Sequence, residues 1–475
     1  MNPITASKFI DTLWDTQIVP TLETYIRIPN KSPAFDPDWE KHGHMDAAVT
    51  LLADWARGKL TAFDVAGRLR ATLDVVRLPG RTPLIFMEMP GTAPGTVLMY
   101  GHLDKQPEMK GWTTGPWEPV IKDGRLYGRG GADDGYALFA ALSALLALKE
   151  QGVAHARTVI IIDASEESGS PDLPAYIEHL APRIGTPDLV VCLDSGCGNY
   201  EQLWLTTSLR GMVIGTLTVK VLTEGVHSGA ASGIVPSSFR IARQLLSRIE
   251  NVETGEIIVP ELQVAIPEDR ITQARAAAQI LGDTVITELP FTDGTRAMAA
   301  SNEDAILQKT WKAQLAITAI DGYPAPENGG NVLLPATTLK LSLRVPPSGD
   351  AEAARAAVKR ALEADPPYNA DVTFNAPRGE NGWNAPALAP WLAAALDKAS
   401  NAAFGRPSAF QGEGGSIPFM GMLGRRYPET QFVITGVLGP HSNAHGPNEF
   451  LDIGYAKKLS GAVASILADH ALKGE

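Results

Sequence analysis

The chain has 475 residues, 44% of them hydrophobic and 20% charged, the balance of a soluble globular protein of roughly two or three domains. Its formal net charge of -12, with a pI near 5.3, repels phosphate backbones and anionic membranes, which excludes nucleic acid and membrane surfaces as expected partners. The two cysteines, Cys192 and Cys197, lie in one segment, so no disulfide framework is expected and a reducing compartment fits.

Residues 1–14 alternate polar and apolar side chains, without the basic and then apolar regions of a secretory signal. No stretch reaches the roughly 18 uncharged apolar residues that a spanning helix needs, and the expected location is the cytoplasm. Residues 96–100 (TVLMY) predict a buried strand, followed by a turn-rich stretch at 101–107. Residues 134–149 are Ala/Leu-rich and predict a long helix; 158–162 (TVIII) and 189–193 (LVVCL) predict two more buried strands. Near residue 210 the pattern changes. Residues 212–222 and 338–345 alternate like half-exposed antiparallel strands, with helices predicted between them at 237–249 and 271–281. After 377 the earlier character returns, with a helix at 390–399, a strand at 431–435 and a last helix at 455–472. The predicted fold class is α/β: a catalytic domain with a mixed sheet flanked by helices, interrupted by an inserted α+β domain. The expected bounds are 1–209 and 378–475 for the first, and 210–377 for the insert. No internal repeat or low-complexity tract is present.

Metal-binding side chains gather where the predicted strands end. His102 and Asp104 follow the first, Glu166 and Glu167 the second, Asp194 the third, and His445 the strand at 431–435. In open α/β sheets, ligands bind in the crevice beyond the carboxyl ends of the strands. Asp133 and Asp134 join the group at the start of the long helix. So many carboxylates repel one another unless cations neutralise them, and two histidines among them favour zinc or manganese over calcium or magnesium. Two ions about 3.5–4 Å apart, sharing a carboxylate and a water, make a hydrolytic centre. Taken singly, each residue has a plainer role. Asp133 and Asp134 suit a helix N-terminus, Asp104 a turn, Glu166 and Glu167 a solvated loop, and His445 a surface loop. The glycines around 128–131 suggest a phosphate cradle, but no GxGxxG and no suitably placed lysine accompanies them.

The segments 101–107 (GHLDKQP), 117–134 (WEPVIKDGRLYGRGGADD) and 165–170 (SEESGS) resemble the carnosinase-like dipeptidase branch of the di-zinc aminoacylase/carboxypeptidase family. The resemblance continues in order through 226–229 (VHSG), 341–346 (LSLRVP), 412–419 (GEGGSIPF) and 444–449 (AHGPNE). It implies two divalent ions per subunit, zinc with manganese or cobalt as alternatives. His102 and Asp194 would hold one, Glu167 and His445 the other, and Asp133 would bridge them. Asp104 would orient the His102 ring, and Glu166 would be the general base. The insert would serve as lid and dimer interface of a homodimer, with His227 stabilising the oxyanion from the second subunit. Arg344 would clamp the substrate carboxylate, with Ser416 and Asn331 adding hydrogen bonds. On residue pattern alone, His227 reads as a turn histidine and Arg344 as a solvated strand residue.

Asp194 stands where carboxypeptidase-like members carry Glu, which favours dipeptidase action. Gly135 stands where the family's usual lysine follows the two aspartates, marking a divergent subgroup. The expected reaction is hydrolysis of the amide bond of dipeptides or related small amino-acid amides bearing a free carboxylate. The alternatives are an N-acyl amino acid or amino-acid-conjugate amidohydrolase on the same centre and, from another class, a non-catalytic metal-binding scaffold.

Overall fold

The structure, a computed structural model, describes residues 1–63, 70–415 and 417–473. It divides into two compact units. The first comprises Met1–Thr206, Ala385–Gln411 and Met422–Glu475; the second comprises Thr207–Asn384 and Gly412–Gly421. The chain leaves the second unit at 384, past the expected 377, and 412–421 groups with the second unit instead of the first.

The first unit is built on a six-stranded mixed sheet. Its order is Thr72–Val76, Leu84–Met89, Ala156–Asp163, Ala93–His102, Leu189–Cys192, Gln431–Ile434. The last four run parallel; the first two join antiparallel. Parallel strands covered on both faces need apolar residues at successive positions, which is why Leu189–Cys192 is buried throughout. Helix Ala137–Glu150 packs against Ile453–His470, which also packs on Pro390–Phe404 and on the N-terminal helix Pro3–Leu13. The stretch Gly131–Glu150 is long and apolar enough to cross a membrane, but its apolar part is wholly buried within the protein, as a core helix would be.

The predicted elements needed correction mainly at their ends. The first buried strand extends to Ala93–His102, and the helix expected from 134 begins only at Ala137. Residues 1–14 mostly form a helix, Pro3–Leu13, opened by Asn2, whose side chain accepts from the Ile4 and Thr5 N–H groups. The antiparallel strands Thr72–Val76, at the edge, and Leu84–Met89, beside it, were not foreseen.

In the second unit an antiparallel sheet has the order Gln314–Asp321, Ala336–Val345, Gly211–Lys220, Asp371–Asn375. Gly211–Lys220 alternates buried and less buried positions. Val213, Leu217 and Val219 face a core completed by Leu341 and Leu343 and by helices Ser238–Leu246 and Ala351–Glu363. A short ladder, Val226–His227 with Val332–Leu333, continues from the Lys220/Ala336 end of this sheet.

Candidate metal centre

Three neighbouring parallel strands deliver the donors. Ala93–His102 ends on His102, Ala156–Asp163 leads into the turn Glu166–Ser168, and Leu189–Cys192 precedes Asp194. Beyond Gln431–Ile434 a loop carries His445 in a left-handed conformation (φ 65°). Asp133 and Asp134 do not belong to the long helix. Asp133 has extended torsions (φ -120°, ψ 88°), and the turn 131–135 precedes the helix. Their carboxylates thus turn toward the strand ends instead of capping helix N–H groups.

The donors form two groups that share one residue. His102, Asp133 and Asp194 each place a ligand atom within 4.8 Å of the others, and so do Asp133, Glu167 and His445. Asp133 serves each group with a different oxygen. Oδ1 lies 3.2 Å from His102 Nε2, and Oδ2 lies 3.0 Å from His445 Nε2. Asp194 Oδ1 is 3.7 Å from His102 Nε2, and Glu167 Oε2 is 3.3 Å from His445 Nε2.

Close packing shifts the titration of these groups in opposite directions. Burial would lower His445, but its bonds to Asp133 and Glu167 outweigh that and push it up to about 11. Burial and the neighbouring Asp133 charge raise Glu167 to about 7. Burial and Asp194 raise Glu166 well above the usual carboxylate range. Burial acts against Asp133 too, but His102 and His445 hold its carboxyl well below its ordinary value. Glu167 Oε1 is buried and takes no hydrogen bond among the described residues. An orphaned carboxylate oxygen beside two imidazoles and two further carboxylates fits divalent cations as the missing partners.

Asp104 lies beside the His102 ring it is expected to orient, and it has a second set of partners. Its carboxylate oxygens accept the backbone N–H groups of Glu166 and Glu167, each at 3.0 Å. His102 Nδ1 lies closer to the Asp104 main-chain carbonyl, 3.2 Å, than to the carboxylate, 3.5 Å. Asp104 therefore ties the first strand end to the turn bearing both glutamates. Gln106, absent from the sequence reading, donates to Glu167 Oε2 at 2.6 Å.

The replacement of the expected lysine by Gly135 has a local cause. A Cβ at 135 would lie 2.2 Å from Tyr25 Cε1. A cation reaches this neighbourhood from Lys105, which is fully buried. Its Nζ lies 3.9 Å from the Tyr25 ring centroid and donates to the Tyr25 and Ile28 carbonyls, each at 2.8 Å. Gly130 (φ 83°) leaves room for this side chain, since a Cβ there would meet Lys105 Cε at 2.5 Å. Tyr25 and Asn30 in turn donate to the Leu103 carbonyl, each at 2.6 Å.

The remaining expected site residues belong to the second unit. His227 is exposed on its short ladder opposite Val332, and Ser228 N–H donates to the Asn331 carbonyl at 2.9 Å. His227 and Asn331 are thereby neighbours. Arg344 stands near the far end of Ala336–Val345, opposite Met212 and Gln314. Ser416 lies outside the described residues.

Peptidase family M20/M25/M40 matches residues 98–469, most of the chain and all of the donor set just described. The chain belongs to this family. Among curated relatives, it is 29% identical over 419 residues to cysteinylglycine-S-conjugate dipeptidase of Corynebacterium striatum, covering 84% of this chain and 85% of that protein. It is 29% identical over 294 residues to human Beta-Ala-His dipeptidase, covering 59% and 56%. In fold it is similar to human carnosine dipeptidase 1, with a TM-score of 0.77 at 22% identity over 99% and 100% of the two chains. It is likewise similar to the dipeptidase Dug1p of Saccharomyces cerevisiae, with a TM-score of 0.74 at 21% identity over 100% and 99%. As a member of the family the chain is a metallopeptidase with a mixed α/β fold, and its two donor groups are the candidate places for metal.

Proposed function

We propose that the chain is a two-metal dipeptidase, hydrolysing the amide bond of dipeptides or small amino-acid amides with a free carboxylate. The observation that carries this reading is Asp133, which gives one oxygen to each of two donor groups with Glu166 beside them. His102 and Asp194 are assigned to one ion, Glu167 and His445 to the other, and Asp133 to both. When bound, such ions (zinc, with manganese or cobalt as alternatives) polarise the scissile carbonyl and acidify a water. Glu166 takes the proton from the attacking water and returns it to the leaving amine as the C–N bond breaks. Its raised pKa in the metal-free protein comes from burial and Asp194, and neighbouring cations oppose both effects, leaving it ionised to act as the base. Asp104 and Gln106 hold Glu166 and Glu167 in place. The cytoplasm is the compartment assigned.

Arg344 is assigned to the substrate carboxylate, since a guanidinium pairs with both oxygens at once. His227 and Asn331 are assigned to the carbonyl being attacked, and Ser416 to a further hydrogen bond. A single second unit keeps these groups apart. From Ala336 to Arg344 the extended strand spans about 27 Å at roughly 3.4 Å per residue, with His227 beyond its Ala336 end. A dipeptide spans only about 7 Å. We therefore assign His227 and Asn331 to the site of a second copy, which makes the working enzyme a homodimer with the same residues exchanged in both directions.

The test is hydrolysis of a panel of dipeptides and their N-acetylated forms before and after chelation. Activity on free dipeptides that vanishes with the metal and returns with zinc, manganese or cobalt is expected. Preference for the acetylated forms would move the assignment to N-acyl amino acid hydrolysis. Two bound ions with no hydrolysis of either set would make the chain a metal-binding scaffold.

A further inference from the structure

Arg129 and Glu449 are buried, 1% and 0% exposed, and lie 320 residues apart in sequence. Glu449 Oε2 accepts from Arg129 Nη1 at 2.6 Å. Glu449 Oε1 accepts three backbone N–H groups, from Gly130 at 3.0 Å and from Ala132 and Asp133 at 3.2 Å. The second terminal guanidinium nitrogen, Nη2, donates to the Gly446 carbonyl at 2.8 Å. One carboxylate thus gathers the loop that carries Asp133, and its arginine partner grips the residue after His445. The His445 loop has good reason to need a hold. His441, Asn443, His445 and Asn448 all adopt left-handed torsions, which side-chain-bearing residues leave unless their surroundings fix them.

We propose that the Arg129–Glu449 pair is a positioning clip that sets the Asp133 loop against the His445 loop and so builds the second metal group. This deepens, and rests on, the two-metal reading above. The clip bears unequally on the two groups. Of Asp133, Glu167 and His445, only Glu167 is placed independently of it, by Asp104 and Gln106. Of His102, Asp133 and Asp194, two stand at strand ends that the clip does not touch. Loss of the clip should therefore loosen one ion far more than the other.

Glu449→Gln tests this while keeping the side chain's shape. An amide has one acceptor oxygen, so its NH₂ must face either the Arg129 guanidinium or the three N–H groups, donor against donor. Metal-free wild type and variant are titrated with zinc against a chromophoric competitor, and His445→Ala marks which binding step belongs to the second group. The expected result is one ion bound as in wild type and the other weakened about 10–100-fold, as for other groups that orient metal ligands. Arg129→Met should weaken the same ion, and the double variant no more than the worse single one, because the pair acts as a unit. Two ions held with wild-type affinity, equal weakening of both, or additive effects of the two substitutions would each overturn the clip. Should Glu449→Gln fail to fold, Arg129→Lys takes its place. A lysine keeps the charge but lacks the planar fork for Glu449 and Gly446 together, so undiminished binding of the second ion would again overturn the proposal. A wild-type chain that binds fewer than two ions refutes the two-metal reading itself, separately from the clip.

Discussion

The donor cluster of the first unit and the His227 edge of the second are built on opposite physical terms. His102, Asp104 and Asp133 are buried, the first two at the end of a covered strand and the third in the turn before the long helix, and neighbouring backbone and side-chain groups hold them. His227 is exposed on a two-residue ladder and Asn331 just before its second strand, and no hydrogen bond to either side chain is seen among the described residues. Groups that change bonding during reaction profit from being fixed beforehand, because reorganisation then costs nothing at the transition state. Groups that meet a substrate after it arrives need solvent access and a second surface.

That contrast breaks most visibly at Glu166. Glu166→Gln should bind both ions and melt near wild type, yet lose about 10²–10⁴-fold in kcat, the usual contribution of a general base. Turnover within a few-fold of wild type, with two ions measured by metal analysis, would remove Glu166 from that role. The exposed edge should fail differently. His227→Ala and Glu166→Gln, each nearly inactive alone, should recover roughly a quarter of wild-type activity when reassembled one to one. About half of such dimers are mixed, and each holds one site with both intact residues. Confirmed mixed dimers without recovery would place His227 in its own subunit's site. Arg344→Ala should show a smaller loss, about 10–100-fold in kcat/KM, in line with a charged hydrogen bond worth roughly 1.5–3 kcal/mol. Amidating the substrate's carboxyl terminus should then cost the variant little more; equal penalties in both proteins would free Arg344 from the clamp.

The smallest effect is expected away from both regions, at Asp188. Burial would raise its carboxyl, but His470 and Lys473 outweigh this and hold it at about 2, below its ordinary 3.8. The bonds therefore stabilise the fold above about pH 4, and the benefit disappears as pH falls from there toward 2. Asp188 is 38% exposed, so screening limits the effect to about 1 kcal/mol or less. Asp188→Asn should melt slightly lower than wild type at neutral pH and converge with it near pH 2. A gap that persists unchanged at low pH would assign the loss to packing.

Most of the donor set could be read from sequence because parallel strands covered on both faces leave short apolar runs with polar residues just beyond them. Residues 96–100, 158–162 and 189–193 carry that signature, and His102, Glu166, Glu167 and Asp194 follow directly. The antiparallel edge strand Thr72–Val76 escaped because it is half exposed and never forms an apolar run. Asp104's further partners, two N–H groups more than sixty residues away, leave no local trace. Arg129 and Glu449 stood inside motifs already singled out, GRGGADD and AHGPNE, but only the folded chain brings them together. A charged residue embedded among glycines was the available hint.

Buried Lys105 carries one more consequence, for where this protein begins as a folding unit. The family match opens at residue 98, yet the acceptors of the Lys105 ammonium are the carbonyls of Tyr25 and Ile28. The Leu103 carbonyl, next to Asp104, likewise draws its donors from Tyr25 and Asn30. A chain trimmed to 98–469 would keep every assigned metal ligand but lose the carbonyls that accept from Lys105 and the side chains that donate to the Leu103 carbonyl. The first thirty residues are thus structural ballast for the loop at 102–105, although they contribute no metal ligand to it.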